Sequence, residues 1–232
     1  MPQINNQQIR LNKFLAERLG VSRREADDII ARGRVSINDD VAELGARVTA
    51  EDDIRLDRKL IDFDTKYIYL AMNKPVGYVC SRKQQGDSPT IYELLPDEYK
   101  DLKTVGRLDR DSSGLILLTN DGDFAFKMTH PKFAKTKEYE VVLDRELEPL
   151  HQQMISDFGI EIGDGVSRLG LTKITDSRTK WNVTMSEGRN RQIRRTFAAL
   201  GYKVVKLERK RFGKYILSDL GPGCFIETQQ YI

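Results

Sequence analysis

The stretch GRLDRDSSG, from Gly106 to Gly114, holds two aspartates two positions apart, beside two arginines and two serines. The apolar run LILLT follows at once and is typical of a buried strand. Four interpretations fit a carboxylate in this setting. It could be part of a metal loop, a phosphoryl-accepting site, an ordinary turn, or a catalytic acid that a neighbouring cation keeps ionised.

The spacing of possible ligands gives little support to a metal site. A calcium loop of the EF-hand type that began at Asp109 would need a bidentate glutamate where Asn120 stands. The two cysteines and the two histidines lie far apart in sequence, without the spacing of a zinc site. We therefore predict no bound metal. A diphosphate–metal loop at the DxD pair, as in a nucleotide or sugar transferase, remains an alternative.

A second stretch, SEGRNRQIRRTFAALGY, favours the ionised catalytic acid. A helix that began near Asn190 would bury one apolar face and present Arg191 and Arg195 on the opposite face, where phosphate could meet them. Arg194 would lie at the rim of the buried face, where a guanidinium can pair with a carboxylate. Such a pair lowers the pKa of an aspartate by about one to three units and keeps it ionised as a nucleophile.

Positive charge is concentrated in residues 185–214, which contain ten lysines and arginines and two glutamates and so carry +8. The net charge of the whole chain is only +3. A patch of this kind is the electrostatic footprint expected of a protein that binds a polyanion, although a solvated basic face is the alternative.

The amino-terminal segment is predicted to form two short helices and a strand. Apolar residues recur at helical spacing from Leu11 and stop before Gly20, and Ser22 and Glu25 form a capping box for the second helix. Basic side chains cluster on this helical pair, as a protein that contacts an RNA backbone would need, but a hairpin with a solvated surface is equally consistent. The candidate RNA-binding residues are Lys13, Arg23, Arg24 and Arg34.

After the linker LDRKLIDFDTK, strand-like and helical runs are interleaved without a regular period. The strand-like runs are LILLT, KEYEVVL, KWNVTMS and KVVKLERKRFG, and the helical patterns lie at 90–95, 124–129, 147–158 and 190–200. The sequence therefore predicts an α+β fold. A small helical module at residues 9–62 precedes, at residues 66–232, a mixed and mostly antiparallel sheet with packed helices.

The composition of the 232 residues, 39% hydrophobic and 31% charged, fits a chain that buries a core and avoids membranes. No run approaches the roughly 20 apolar residues of a membrane span. The polar start MPQINNQQIR lacks the apolar stretch of a secretory signal and is predicted to be a short disordered lead-in. We expect a cytoplasmic protein.

Four motifs, GRLDRDSSGLILLTNDG, MNKPVGYVCS, KEYEVVL and EGRNRQIRR, together closely resemble the RsuA/RluB/RluE/RluF family of ribosomal RNA pseudouridine synthases. The resemblance covers residues 9 to 213. Its first part, through SRREAD and GRVSIN, is similar to the small RNA-binding module of a small-subunit ribosomal protein, a ribosomal S-four-like module. The family isomerises uridine to pseudouridine in RNA without a cofactor.

The resemblance implies that Asp109 is the catalytic residue, and it leaves open whether Asp109 attacks the ribose, attacks the base or assists glycal formation. Tyr139 matches the aromatic that stacks on the target uracil; a core tyrosine is the alternative. Arg194 matches the basic position that should hold Asp109 by ion pairing. Arg107 is expected to contact RNA or the flipped nucleotide.

The remaining candidates have supporting roles. Lys74 and Pro75 are expected to shape the floor of the site, and Asp111 to cap the turn through backbone N–H groups. RNA-binding residues are expected in the basic patch, at Arg189, Arg191 and Arg195.

The implied partner is ribosomal RNA, free or within an assembling subunit, and we expect a monomer. The competing interpretation is a non-catalytic RNA-binding or ribosome-assembly factor. Such a factor would keep both basic regions but would have no need for Asp109, Tyr139 and Arg194 together. No feature of the sequence identifies the uridine or the subunit RNA.

Overall fold

The computed structural model describes residues 8–63, 66–82 and 85–231. They form two compact units: one comprises the chain up to Ile68 together with Asn120–Gly122, and the other comprises Tyr69–Thr119 and the chain from Asp123 onward. Residues 1–7 of the expected lead-in lie outside the described residues. The boundaries at 9–62 and 66–232 stay predictions.

Short elements make up the smaller unit. Its two helices are α1 (Leu11–Arg18) and α2 (Arg23–Ala31). The strands found in its described residues are β1 (Ile9–Arg10), β2 (Val35–Ile37), β3 (Asp40–Val41), β4 (Arg47–Val48), β5 (Ile54–Leu56) and β6 (Lys59–Leu60). Strands β3, β2, β5 and β6 form an antiparallel sheet in that order, and β1 pairs with β4.

The two helices of the smaller unit form where the sequence predicts them. The Ser22 side chain accepts a hydrogen bond from the Glu25 backbone N–H, and the Glu25 carboxylate accepts one from the Ser22 N–H, at 3.2 and 2.7 Å. This capping box satisfies two N–H groups that the first turn of α2 leaves free. Leu11, Phe14 and Leu15 of α1 are buried in the core of the unit.

The rest of the chain contains three further α-helices within its described residues, α3 (Gly122–Thr129), α4 (Pro149–Gln153) and α5 (Gln192–Ala199). Single turns of other helical types lie at Ile91–Leu94, Asp97–Tyr99 and Pro131–Phe133 (3-10) and at Met154–Phe158 (π). The strands are β7 (Tyr69–Lys74), β8 (Lys103–Val105), β9 (Ser113–Thr119), β10 (Lys137–Leu143), β11 (Ile160–Glu161), β12 (Val166–Ser167), β13 (Gly170–Lys173), β14 (Lys180–Met185), β15 (Val204–Phe212), β16 (Tyr215–Ile216) and β17 (Phe225–Glu227).

One large mixed sheet organises the larger unit. Its strand order is β13-β14-β10-β15-β9-β7-β17, with β8 paired to β9 and β16 paired to β15. The pairing of β15 with β9 is parallel, and the other pairs in the sheet are antiparallel. The α+β class predicted from the sequence, with a mostly antiparallel sheet, is therefore confirmed.

The parallel pairing of β15 with β9 requires a glycine at position 114, the last residue of GRLDRDSSG. Gly114 lies opposite Arg209 of β15 and has a φ of +104°, which side chains rarely tolerate. A Cβ placed on Gly114 would lie 2.3 Å from the Arg209 carbonyl oxygen and 2.5 Å from its nitrogen. Only glycine allows β15 to approach so closely.

Two helical predictions need correction. The segment at 90–95 forms a 3-10 turn over Ile91–Leu94, and the helix expected from Asn190 begins only at Gln192. Arg191 precedes it with φ and ψ of +46° and +32°, a left-handed conformation that cannot continue into the helix. Arg191 therefore does not share the exposed face of α5 with Arg195.

A membrane-spanning helix would have to be long and apolar. None of the helices in the described part of the chain has that combination of length and hydropathy.

Candidate active site

A cavity of about 510 Å³ opens in the larger unit at the turn that precedes β9. This volume lies in the range of sites that hold a small molecule or a nucleotide. Its walls come from the turn before β9, from strands β10 and β15, and from the loop that leads into α5. The charged residues that line it are Arg107, Asp109, Lys137, Glu187, Arg189, Arg191 and Arg209.

Asp109 lies at the start of a tight turn. The Ser112 N–H donates to the Asp109 carbonyl at 3.1 Å, and Gly106 enters the segment with a φ of +72°. The Asp109 side chain is 34% exposed and lines the cavity. Its Oδ2 lies 3.6 Å from Nη1 of Arg191. The two groups form an ion pair that is too long for a hydrogen bond.

Arg194 does not form the expected ion pair with Asp109; it pairs with Asp111 instead. Nε of Arg194 lies 3.2 Å from Oδ2 of Asp111, and its Nη2 donates to the Asp111 carbonyl at 2.7 Å. Its Nη1 donates to the carbonyl of Val204 at 2.7 Å, which fixes the guanidinium behind the turn. Arg191, the residue that precedes α5, is the arginine that lies near Asp109.

Asp111 has its own backbone N–H among the groups that lower its pKa, and its expected role as a cap for backbone N–H groups stays a prediction. Its two carboxylate oxygens accept hydrogen bonds from Nη1 and Nη2 of Arg191 at 2.9 and 2.8 Å. This pairing lowers the pKa of Asp111, and the charges of Arg194 and Arg191 add to the effect, while partial burial opposes it. A metal at the DxD pair would have to displace this fork-to-fork contact.

We expect Asp111→Asn to lower the stability of the protein by about 0.5–1 kcal/mol at pH 7, because the pair is partly exposed and screened. A lowered pKa contributes stability that is fully present above the ordinary value of about 3.9 and is lost as the pH falls through the lowered value. Urea unfolding at pH 7 and below pH 3 measures this. The exposed Asp176→Asn is the control, and an equal deficit at both pH values would contradict the assignment.

Tyr139 is buried in β10, between β14 and β15 in the sheet, and it lines the same cavity as Asp109. Its Cα partners are Val183 on one side and Arg209 on the other. The Tyr139 side chain is 8% exposed, so its ring has little freedom to move. The geometry therefore presents an aromatic surface and a carboxylate to the same cavity.

The arginines of the predicted RNA-binding set occupy different environments. Arg107 is exposed at the rim of the cavity. Arg189 lines the cavity, yet its guanidinium also donates to carbonyls of Gly165 and Val166, at 3.0 and 2.8 Å. Arg195 lies outside the cavity lining and donates to the Asp164 carboxylate at 2.8 Å. Both therefore hold the β11–β12 hairpin, and their contact with RNA stays a prediction.

Lys74 is fully buried at the end of β7. Its Nζ donates to the carbonyls of Ser112 and Pro75, at 2.6 and 2.9 Å, and burial lowers its pKa to about 8. It thereby ties β7 to the turn that carries Asp109. Neither Lys74 nor Pro75 lines the cavity, so they do not form its floor as expected. Their support of the site stays a prediction, to which the contact of Lys74 with the turn gives a physical basis.

In the smaller unit, Arg34 is bound by Asp57, with Nε and Oδ1 3.0 Å apart. Nη2 of Arg23 lies 3.4 Å from Oδ1 of Asn12, and Arg24 is exposed. The RNA-binding role of Lys13 and of these arginines stays a prediction.

Lys137 and Arg209 are among the cavity residues that were missed from the sequence. Strand alternation in KEYEVVL puts Lys137 on the same face as Tyr139, so that signal was available. Burial and the charge of Arg209 both lower the pKa of Lys137. Arg209 lies two positions after buried Leu207 in β15 and so on the same face, but a charged residue at such a position is normally exposed.

Comparison with known proteins gives two family matches. Residues 68–199 match the model described as RNA pseudouridylate synthase, and residues 9–54 match the S4 domain. The chain is 38% identical to the ribosomal small subunit pseudouridine synthase A of Pasteurella multocida, over 91% of each chain. It is 33% identical to the ribosomal large subunit pseudouridine synthase B of Bacillus subtilis, over 92% of this chain and 89% of the relative.

A solved structure supports the same relationship. The crystal structure of a pseudouridylate synthase is similar to this chain with a TM-score of 0.68 and 34% identity. The match covers 95% of this chain and 96% of that one, so it includes both units.

Proposed function

The chain belongs to the RNA pseudouridylate synthases of the RsuA/RluB/RluE/RluF family, and on this premise we propose that it converts a specific uridine of ribosomal RNA to pseudouridine. The observation that carries the proposal is the meeting of Asp109 and Tyr139 in one cavity whose rim carries Arg107 and Arg191. A non-catalytic RNA-binding or ribosome-assembly factor is not favoured, because it would need neither the carboxylate nor the enclosed aromatic surface.

The reaction is an isomerisation. The bond between C1′ and N1 breaks, the base turns, and a new bond joins C1′ to C5, while C5 loses a proton and N1 gains one. No electrons enter or leave the substrate, so the reaction calls for no redox partner. Asp109 is the group that acts on the nucleotide, and attack on the ribose, attack on the base and assistance to glycal formation are all compatible with its position.

The target uridine has to leave its stack to enter the cavity. Flipping a nucleotide costs a few kcal/mol, and the cost is lowest for a base that is already unpaired. Stacking of the uracil on the Tyr139 ring would recover part of this cost, since base–aromatic stacking is worth about 1–3 kcal/mol. The buried position of Tyr139 suits a platform that the base reaches only when flipped.

Contacts with phosphates supply the rest of the binding energy. Arg107 and Arg191 are exposed at the cavity, and the S4 domain offers a second basic surface. Since such contacts release counterions, binding should weaken steeply as the salt concentration rises. The proposed substrate, free or within an assembling subunit, implies a cytoplasmic protein, and we propose that it acts as a monomer.

Release of tritium from ribosomal RNA labelled at C5 of uridine tests the proposal. Formation of pseudouridine expels this label, so the wild-type protein should release close to one equivalent from one of the two large ribosomal RNAs. Small-subunit RNA, large-subunit RNA and assembling particles are assayed separately, because relatives of both kinds are similar to the chain. Failure to release label from any of these substrates would overturn the proposed function.

A further inference from the structure

Arg209 is a buried cation in the wall of the cavity. Its side chain is 2% exposed, its Nε donates to the Leu115 carbonyl at 2.7 Å, and its guanidinium lies 4.8 Å from the centre of the Phe212 ring. Nη2 is buried and has no hydrogen-bond acceptor, and no carboxylate lies within ion-pairing distance of Arg209 among the described residues. The fold thus fixes the guanidinium and leaves one of its donor edges unused.

An unpaired buried donor on a cation is costly. A buried N–H without an acceptor destabilises the folded state, and does so more strongly when the group is charged. Such a group calls for an explanation, and a role in binding or catalysis is one of the explanations. Arg209 lines the cavity, so a molecule that occupies the cavity can bring an oxygen next to the guanidinium.

The depth of Arg209 indicates which oxygen this is. Phosphates keep much of their hydration and would meet the exposed Arg107 and Arg191 at the rim. Arg209 instead shares the floor with Tyr139 and Phe212, which are 8% and 1% exposed. It is also the Cα partner of Tyr139 across the β10–β15 pair. A base stacked on Tyr139 would bring its carbonyl groups to this floor.

We propose that Arg209 is a further catalytic residue, which donates a hydrogen bond to a carbonyl oxygen of the target uracil and stabilises the base when its bond to the ribose is broken. This inference rests on the proposed function. When the C1′–N1 bond breaks, its electron pair stays on the base and spreads over N1, O2 and O4. The pair that forms the C1′–C5 bond comes back from the base, the C5 proton leaves to solvent, and N1 takes up a proton.

A fixed cation beside the carbonyl stabilises the separated base more than the bound uridine, which is the condition for a catalytic effect. Removal of one such donor typically lowers turnover by about 10²–10³-fold. We expect Arg209→Met to lower kcat about 100-fold and to change KM less than threefold. Arg209→Lys, which keeps the charge but loses the planar fork, should recover part of the loss.

Arg178 provides a matched control. Its Nε also donates to a backbone carbonyl, that of Leu147, and its guanidinium lies 5.3 Å from the centre of the Trp181 ring, yet it does not line the cavity. Arg178→Met should cost stability of the same kind as Arg209→Met and leave turnover within threefold of the wild type. Thermal unfolding of both variants shows whether they are folded.

Modified substrates identify the oxygen that Arg209 contacts. Synthetic fragments are made of the ribosomal RNA from which the wild type releases tritium, each labelled at C5 of the target uridine. One fragment has sulfur in place of O2 of that uridine, one has sulfur in place of O4, and one has a phosphorothioate on its 5′ side. If Arg209 contacts the base, sulfur at one carbonyl should slow the wild type but have little effect in Arg209→Met, so that the two penalties do not add. The phosphorothioate penalty should add to that of Arg209→Met.

Three outcomes would overturn the proposal. The first is full turnover of Arg209→Met, and the second is an equal loss of turnover in Arg209→Met and Arg178→Met. The third is that, of the three substrate penalties, only that of the phosphorothioate fails to add to the penalty of Arg209→Met, which would assign the contact to a phosphate. The wild type is assayed first in each series. An inactive wild type counts against the proposed function and is therefore distinguishable from a failure of this inference.

Discussion

Asp109→Asn should lower the release of tritium from C5 of uridine at least 10³-fold, a loss typical of removing the central catalytic group of an enzyme. The amide keeps the size and shape of the side chain but carries no negative charge. The carboxylate is 34% exposed and makes only a loose 3.6 Å contact with Arg191. The substitution should therefore leave the fold intact while it removes the anion from the cavity.

The measurement has to separate chemistry from binding. Single-turnover release of tritium gives the rate, and equilibrium binding of the same RNA should change less than threefold. Asp101→Asn, at an exposed position of the larger unit outside the cavity, is the matched control and should behave as the wild type. If Asp109→Asn kept full activity, the role of Asp109 in the proposed function would be wrong.

Gly114→Ala should destabilise the protein by about 3–5 kcal/mol, at the upper end of the range for point mutations. The added Cβ would lie 2.3 Å from the carbonyl oxygen of Arg209, and a backbone atom in the middle of a sheet cannot move aside as a flexible side chain could. The φ of +104° adds strain of its own for any residue with a Cβ. Relief of the clash requires β9 and β15 to separate.

Urea unfolding followed by circular dichroism measures this loss. Gly221→Ala is the control, because its Cβ would meet only the Cys224 sulfur, at 3.6 Å, and its φ lies outside the left-handed region. We expect it to change the stability by less than about 1 kcal/mol. A Gly114→Ala protein as stable as the wild type would be incompatible with the close parallel pairing of β9 and β15.

Local patterns in the sequence identified the parts of the fold that depend on nearby residues. The strand-like run KEYEVVL coincides with the bounds of β10, Lys137–Leu143. The capping box of Ser22 and Glu25 marked the start of α2. These signals depend on residues within one turn or one strand, so they can be read without knowledge of the tertiary structure.

The errors arose where distant segments meet. Arg191 has a left-handed conformation and pairs with Asp111, 80 residues earlier in the chain, and Arg194 pairs with Asp111 as well instead of with Asp109. The burial of Arg209 depends on the pairing of β15 with β9. Propensity assigns a charged residue to the surface, and only the tertiary structure shows that this one lies at the floor of a cavity.

The central place of β15 has a consequence for the way the protein is made. This strand, Val204–Phe212, is the link between the antiparallel strands that carry Tyr139 and the strands that follow the Asp109 turn. During synthesis β9 and β10, the two strands that flank β15 in the sheet, emerge from the ribosome before β15 does. Contacts this distant in sequence also form slowly. A nascent chain therefore contains all of its amino-terminal residues long before β15 can complete the cavity that Asp109 and Tyr139 line.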